Sequence, residues 1–230
     1  MTKGPYYIGI GANRCGTSSL HFTLKKHPQL REFRGKELHF WDQKIKRKSI
    51  SWYLHRFRPI GSQKAGEITP AYYRTPHLPK KLAACLPDVK LLLLLRNPAE
   101  ALFSDYRRGV HRRSFPEGFE EHVDAYLDGK GSDEFFARRY YAAHLELWLK
   151  HYPKEQLWIV QSERLWEDPG KVLATLWEFL EVRSISLAYP HVRAHRRRPM
   201  SSQVRERLQE HFHPHNERLY TLLGERYDWE

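Results

Sequence analysis

The sequence predicts an α/β fold, a mainly parallel central sheet flanked by helices, and three observations lead there. Apolar runs of strand length, at residues 5–10, 89–95 and 157–160, are separated by stretches with helical spacing. The run Tyr7-Ile8-Gly9-Ile10 feeds a glycine-bearing loop and then hydroxyl residues able to open a helix. In that strand–loop–helix layout, backbone N–H groups hold an anion. Third, Gly11 to Gly16 has the G-x-x-x-x-G spacing of a phosphate-binding P-loop. Where a nucleotide triphosphatase carries lysine this chain has Thr17, and the cation, Arg14, lies inside the loop. The fold is P-loop-like, and the anion loop is altered.

Taken in order, the strand at 5–10 leads to a helix capped by Thr17 or Ser18 and running to about Lys26. Cys15 fits by size and close backbone approach, with no base partner for thiol chemistry. Lys36-Glu37-Leu38-His39-Phe40-Trp41-Asp42 reads as an extended segment in which Glu37 and His39, two apart, share a side. Residues 44–58 are basic with aromatic punctuation, and Ser49 or Ser51 can start a short helix. Glu67-Ile68-Thr69-Pro70 reads as the end of a second strand. The leucine-rich strand at 89–95 ends in Arg96-Asn97-Pro98, with Asn97 as cap and Pro98 at the first helical position. Many P-loop enzymes place a magnesium-binding aspartate near here. A guanidinium instead repels a metal and suits a fixed phosphate.

Further helices are expected over 115–128, over 132–150 with Ser132 as cap, and over 169–181. Residues 183–199 break the periodicity with a strongly cationic run, Arg193 to Arg198. His211, His213 and His215 alternate across Pro214, a spacing that does not put all three on one helical face, and no metal is expected.

At 230 residues the chain fits one domain, residues 1–230, large enough for a core without disulfide staples. Its net charge of +12 implies attraction to anions. Two cysteines and no bilayer-length apolar stretch point to a cytoplasmic protein, or to a soluble catalytic fragment of a longer one.

These segments resemble the sulfotransferases that use 3′-phosphoadenosine 5′-phosphosulfate, and are most similar to the heparan sulfate N- and O-sulfotransferase branch, 3-O-sulfotransferases included. The matching residues are Gly9 to Leu20, Lys36 to Asp42, Glu67 to Tyr72, Leu95 to Tyr106, and Gly224-Glu225-Arg226-Tyr227-Asp228-Trp229, in the family's order. The resemblance implies a sulfotransferase fold and transfer of a sulfuryl group to an acceptor hydroxyl or amine, that of a glycan first, without metal. It implies Glu37 as the base, with His39 as its orienting partner or as the base itself, since an imidazole ordinarily titrates near about pH 6.5. Arg14 and the loop residues Cys15, Gly16, Thr17, Ser18 and Ser19 would hold the 5′-phosphosulfate. Arg96 and Ser104 would hold the 3′-phosphate, and Arg196 and Arg197 in a basic loop would close the site. Lys36, Glu67 and Tyr72 fall on the acceptor side.

Two positions depart from the family. Arg14 stands where it has lysine, and Ile68 where its glycan enzymes usually carry a lysine. The second keeps open a smaller or carrier-bound hydroxylated metabolite as acceptor. Two further classes remain open, a P-loop kinase and a non-catalytic binder of polyanions; specific nucleic-acid recognition and a membrane span are not expected.

Overall fold

Five parallel strands in the order β2-β3-β1-β4-β5 form the central sheet. The computed structural model describes residues 4–33, 35–57, 61–111, 118–130, 133–190 and 199–229. In chain order the elements are β1 (Tyr7–Gly11), α1 (Thr17–Leu24), β2 (Leu30–Glu32), α2 (Ile50–Leu54), β3 (Lys64–Ile68), α3 (Leu78–Cys85) and β4 (Lys90–Leu95). There follow α4 (Pro98–His111), α5 (Phe119–Leu127), α6 (Asp133–Ala137), α7 (Tyr141–Leu149), β5 (Leu157–Gln161), α8 (Ser162–Glu167), α9 (Pro169–Phe179) and α10 (Ser202–Leu223). By contact the residues gather into two compact units: Met1–Leu95 with Leu145–Ala194, and Arg96–His144 with His195–Glu230.

The first unit holds the whole sheet. A central parallel strand is covered on both faces, so it reads as a continuous apolar run; Leu91 to Leu95 are all buried. β1 lies between β3 and β4, and its register against β4 slips between Gly9 and Gly11, a bulge that bends the strand as it enters the anion loop. Gly66 on β3 is required by its neighbour, because a Cβ there would sit 2.4 Å from the Tyr7 ring. That ring carries its hydroxyl to Glu32 at 2.6 Å, and His21 Nδ1 meets the other Glu32 oxygen at 2.6 Å. This buried trio ties α1 to β2. The edge strand β2 is only three residues long, too short for the alternation that announces a strand, and the sequence shows no sign of it.

The second unit is helical, with Leu102, Val123, Phe136, Val204, Leu208 and Phe212 at its core. As expected, Asn97 caps α4: its Oδ1 accepts from the N–H groups of Ala99 (3.0 Å) and Glu100 (3.3 Å). The helix expected over 132–150 is instead two, α6 and α7. Arg139 lies at the break, 1% exposed, with its guanidinium on Asp105 at 2.9 Å. A buried charge needs a partner, and reaching it overrides the helical periodicity. Ser132, expected as cap, lies outside the described residues. Pro214 does not interrupt α10. The Tyr140 ring stacks on His215 at 3.9 Å, and its hydroxyl meets His211 Nε2 at 3.2 Å, so packing engages these histidines. Among the described residues no helix is long and apolar enough to cross a membrane.

Candidate active site

β1 delivers the chain to the anion loop, and α1 carries it away. The cap expected from Thr17 or Ser18 is not used: Gly16 occupies that position in the left-handed region at φ 82° and contributes no side-chain bond. Two hydroxyls from distant segments fix the turn. Ser162 Oγ donates to the Cys15 carbonyl at 2.8 Å, and Tyr189 OH donates to the Gly16 carbonyl at 3.1 Å. A peptide plane whose C=O is held one way presents its N–H the other way, so these bonds orient the amides of Gly16 and Thr17 at the start of α1, where a helix has no internal partner for them. Cys15 lies within this turn. Its thiol is buried against the Asn13 carbonyl at 3.5 Å, and its N–H is directed to the Ala12 carbonyl at 3.3 Å. Ser19 is buried beside Tyr189.

The segment carrying Glu37 and His39 is not extended. Both have left-handed backbones, at φ 64° and 50°. Their side chains still meet, His39 Nε2 lying 3.4 Å from Glu37 Oε2. Leu38 and Phe40 turn into the core between and after them, and this alternation throws Glu37 and His39 outward together. His39 Nδ1 is 2.8 Å from Asp42 Oδ2, which assigns Nδ1 the proton and turns Nε2 toward Glu37. On the other side Lys36 Nζ donates to Glu37 Oε1 and to Ser18 Oγ, both at 2.8 Å. The row Ser18–Lys36–Glu37–His39–Asp42 therefore runs from the first turn of α1 through the carboxylate to a histidine–aspartate pair. Glu37 keeps 30% of its side chain exposed to solvent.

Among the described residues, Arg14, Glu37, His39 and Glu181 are the four non-glycine residues with positive φ, Arg14 at 69°. Such backbones cost of order 1–3 kcal/mol each and cluster at functional sites. Three of the four are residues singled out for catalysis from the sequence alone.

Glu67 and Tyr72, expected on the acceptor side, are buried instead. Glu67 receives Tyr53 OH at 2.8 Å and Tyr72 OH at 3.2 Å on Oε1, and Thr69 Oγ1 at 2.7 Å on Oε2. Burial still wins over these three bonds and pushes its carboxyl up from 4.5 to about 7. Folding thus favours the protonated acid. That contribution is complete below the unfolded pKa and is lost as pH rises through the folded one. Between about pH 5 and about pH 8, wild type is expected to lose roughly 2–3 kcal/mol of stability more than Glu67→Gln, as read from denaturant melts. Parallel losses in the two proteins would show that Glu67 does not titrate in the fold.

In the second unit, Arg96 opens the segment after β4 and its guanidinium lies 3.5 Å from Glu100 Oε2; Ser104 is half-buried on α4. Glu100 also pairs with Arg205. Arg196 and Arg197 lie outside the described residues. Sequence reasoning missed Ser162, Tyr189, Thr69 and Tyr53. No local signal marks them, because each acts through a backbone carbonyl, a backbone amide or a carboxylate far away in the chain.

The model of the sulfotransferase domain family matches residues 7–221. Heparan sulfate glucosamine 3-O-sulfotransferase 6 of Homo sapiens is 28% identical over 98% of this chain. The chain spans 73% of that protein's length, and 62–65% of the human and mouse 3A1 and 3B1 enzymes. Among solved structures, a sulfotransferase from Alicyclobacillus acidocaldarius superposes with TM-score 0.81 at 24% identity, covering 97% of each chain. Mouse sulfotransferase SULT7A1, solved in complex with PAP, superposes with TM-score 0.53 at 16% identity over 81% of this chain and 60% of its own.

Proposed function

The chain belongs to the sulfotransferase family, and we propose that it moves a sulfuryl group from 3′-phosphoadenosine 5′-phosphosulfate to an acceptor hydroxyl, that of a glycan first. The observation that carries this reading is the row Ser18–Lys36–Glu37–His39–Asp42, which links a carboxylate to the anion loop at one end and to a histidine–aspartate pair at the other.

Glu37 removes the proton from the acceptor hydroxyl as its oxygen attacks sulfur in line. The bond from sulfur to the bridging oxygen breaks, and the electron pair leaves with the 5′-phosphate of adenosine 3′,5′-bisphosphate. Arg14 and the amides of Gly16, Thr17 and Ser18 take up the charge that develops on that oxygen. A carboxylate with an ordinary pKa near about 4.3 is a weak base for a hydroxyl, so position matters more than basicity. His39 Nε2 faces the second Glu37 oxygen, and Asp42 stabilises the imidazolium that forms when the proton moves on. Lys36 keeps the carboxylate directed toward α1. For the donor's 3′-phosphate the resemblance supplies Arg96 and Ser104.

A smaller hydroxylated acceptor remains a second reading, favoured by one observation: Ile68 is 1% exposed and puts no cation where an acidic sugar would be met. Donor identity is tested by thermal shift. Adenosine 3′,5′-bisphosphate at 100-fold its dissociation constant is expected to stabilise the protein by about 2.7 kcal/mol without added magnesium. A shift with ATP and magnesium alone would transfer the protein to the kinases. Labelled-sulfate transfer to glycans and to small alcohols separates the two acceptor classes.

A further inference from the structure

The carbonyls of Leu38, His39 and Phe40 are held locally by Lys44 and Ile45, whereas the N–H groups of residues 37 and 39–41 converge on one distant, short stretch of chain. Glu37 N–H donates to the Ile68 carbonyl at 3.2 Å, and His39 N–H points to Thr69 Oγ1 at 3.5 Å. The N–H groups of Phe40 and Trp41 reach Tyr72 OH at 2.9 and 3.4 Å. A hydroxyl has one proton to give and two lone pairs to receive. Tyr72 receives both backbone amides, so its proton goes to Glu67 Oε1, and the Thr69 proton goes to Glu67 Oε2 in the same way.

We propose that Glu67 is a positioning residue for the transfer reaction: through the hydroxyls of Tyr72 and Thr69 its buried carboxyl group orients the backbone of residues 39–41, and with it the angle at which Glu37 and His39 meet the acceptor. This rests on the reading of Glu37 as the base. The carboxyl group does not touch the reactants. It sits one layer below them and determines which way two hydroxyl lone pairs point. Those lone pairs hold a segment whose backbone is left-handed at both functional residues and which has no helix or strand of its own to keep it there. The same node explains an apparent contradiction, in which Glu67 and Tyr72 belong to a segment that marks the family while neither is exposed to a substrate.

Two isosteric variants test it. Tyr72→Phe removes the hydroxyl that joins Glu67 to the backbone, and Glu67→Gln removes an acceptor while keeping the volume. Both are first shown to be folded by their melting transitions. Affinity for adenosine 3′,5′-bisphosphate is expected to stay within about twofold in both, since the anion loop is held independently by Ser162 and Tyr189. With labelled donor and a heparan sulfate oligosaccharide as probe acceptor, kcat is expected to fall roughly 10- to 100-fold in Tyr72→Phe, the range that a displaced catalytic group produces. In a Glu37→Gln background the same substitution is expected to cost nothing further, whereas general destabilisation would add to it.

A second measurement needs no acceptor. The imidazole nitrogen resonances of His39, assigned by their loss in His39→Gln, report its distance from Glu37 and Asp42, the two carboxylates beside it. They are expected to shift in Tyr72→Phe and Glu67→Gln, while those of His21, held separately on Glu32, stay unchanged. Unmoved His39 resonances in both variants overturn the proposal, even if the oligosaccharide is not a substrate. Conversely, if wild type neither binds the bisphosphate nor uses the donor, but the His39 resonances move as expected in the two variants, the assigned reaction is overturned and the positioning of residues 39–41 by Glu67 stands.

Discussion

Glu37→Gln is expected to transfer sulfate roughly 10²- to 10⁴-fold more slowly than wild type, the usual contribution of a positioned general base, while binding adenosine 3′,5′-bisphosphate as well as before. The substitution keeps the shape and leaves a hydrogen-bond acceptor for Lys36, which now lies 2.8 Å from Oε1. What disappears is the ability to receive a proton. Single-turnover transfer, with donor affinity measured in parallel, separates this from a binding defect. If turnover survives at the wild-type rate, Glu37 leaves the mechanism, and His39, whose Nε2 is the next proton acceptor in the row, takes its place. His39→Asn then becomes the deciding variant.

Arg14 carries the second large effect. Arg14→Met is expected to lower kcat by about 10²–10³, or ~2.7–4 kcal/mol, as when one donor to a developing oxyanion is removed. Its backbone is in the left-handed region at φ 69°, and methionine bears the same backbone cost, so the difference isolates the guanidinium. Arg14→Lys, which keeps the charge and loses the planar fork, is expected to fall between the two. Equal rates for Arg14→Met and wild type would place the developing negative charge elsewhere and detach the cation of the loop from the chemistry.

Much of this architecture was legible beforehand. The strands β1, β4 and β5, the bend at Gly11 to Gly16 and the Asn97-Pro98 start of α4 follow from hydropathy, glycine placement and capping chemistry, all of which act over a few residues. Of the two serines able to start a short helix within residues 44–58, Ser49 or Ser51, it is Ser49 that caps α2, its side chain accepting from the Trp52 N–H. Glu37 and His39 were identified as partners for the wrong geometric reason. An extended strand would put them on one side, whereas two left-handed residues and a pair of buried neighbours do so instead. Arg139 defeated the helix expected over 132–150, because its need for Asp105 could not be foreseen from periodicity.

From the order of residues alone came the sheet type, the altered anion loop, the cationic balance and the identity of the groups that can carry charge or a proton. These depend on local backbone preference and on side-chain chemistry, which the chain brings with it. Only the folded molecule decided where those groups end: that Glu67 is buried and joined through Tyr72 to the backbone of Phe40 and Trp41, that Ser162 and Tyr189 hold the carbonyls of the loop, and that Lys36 bridges Glu37 to Ser18. Such placements join residues up to 173 positions apart, and hydrogen bonds of that reach exist only after the sheet has brought its strands together.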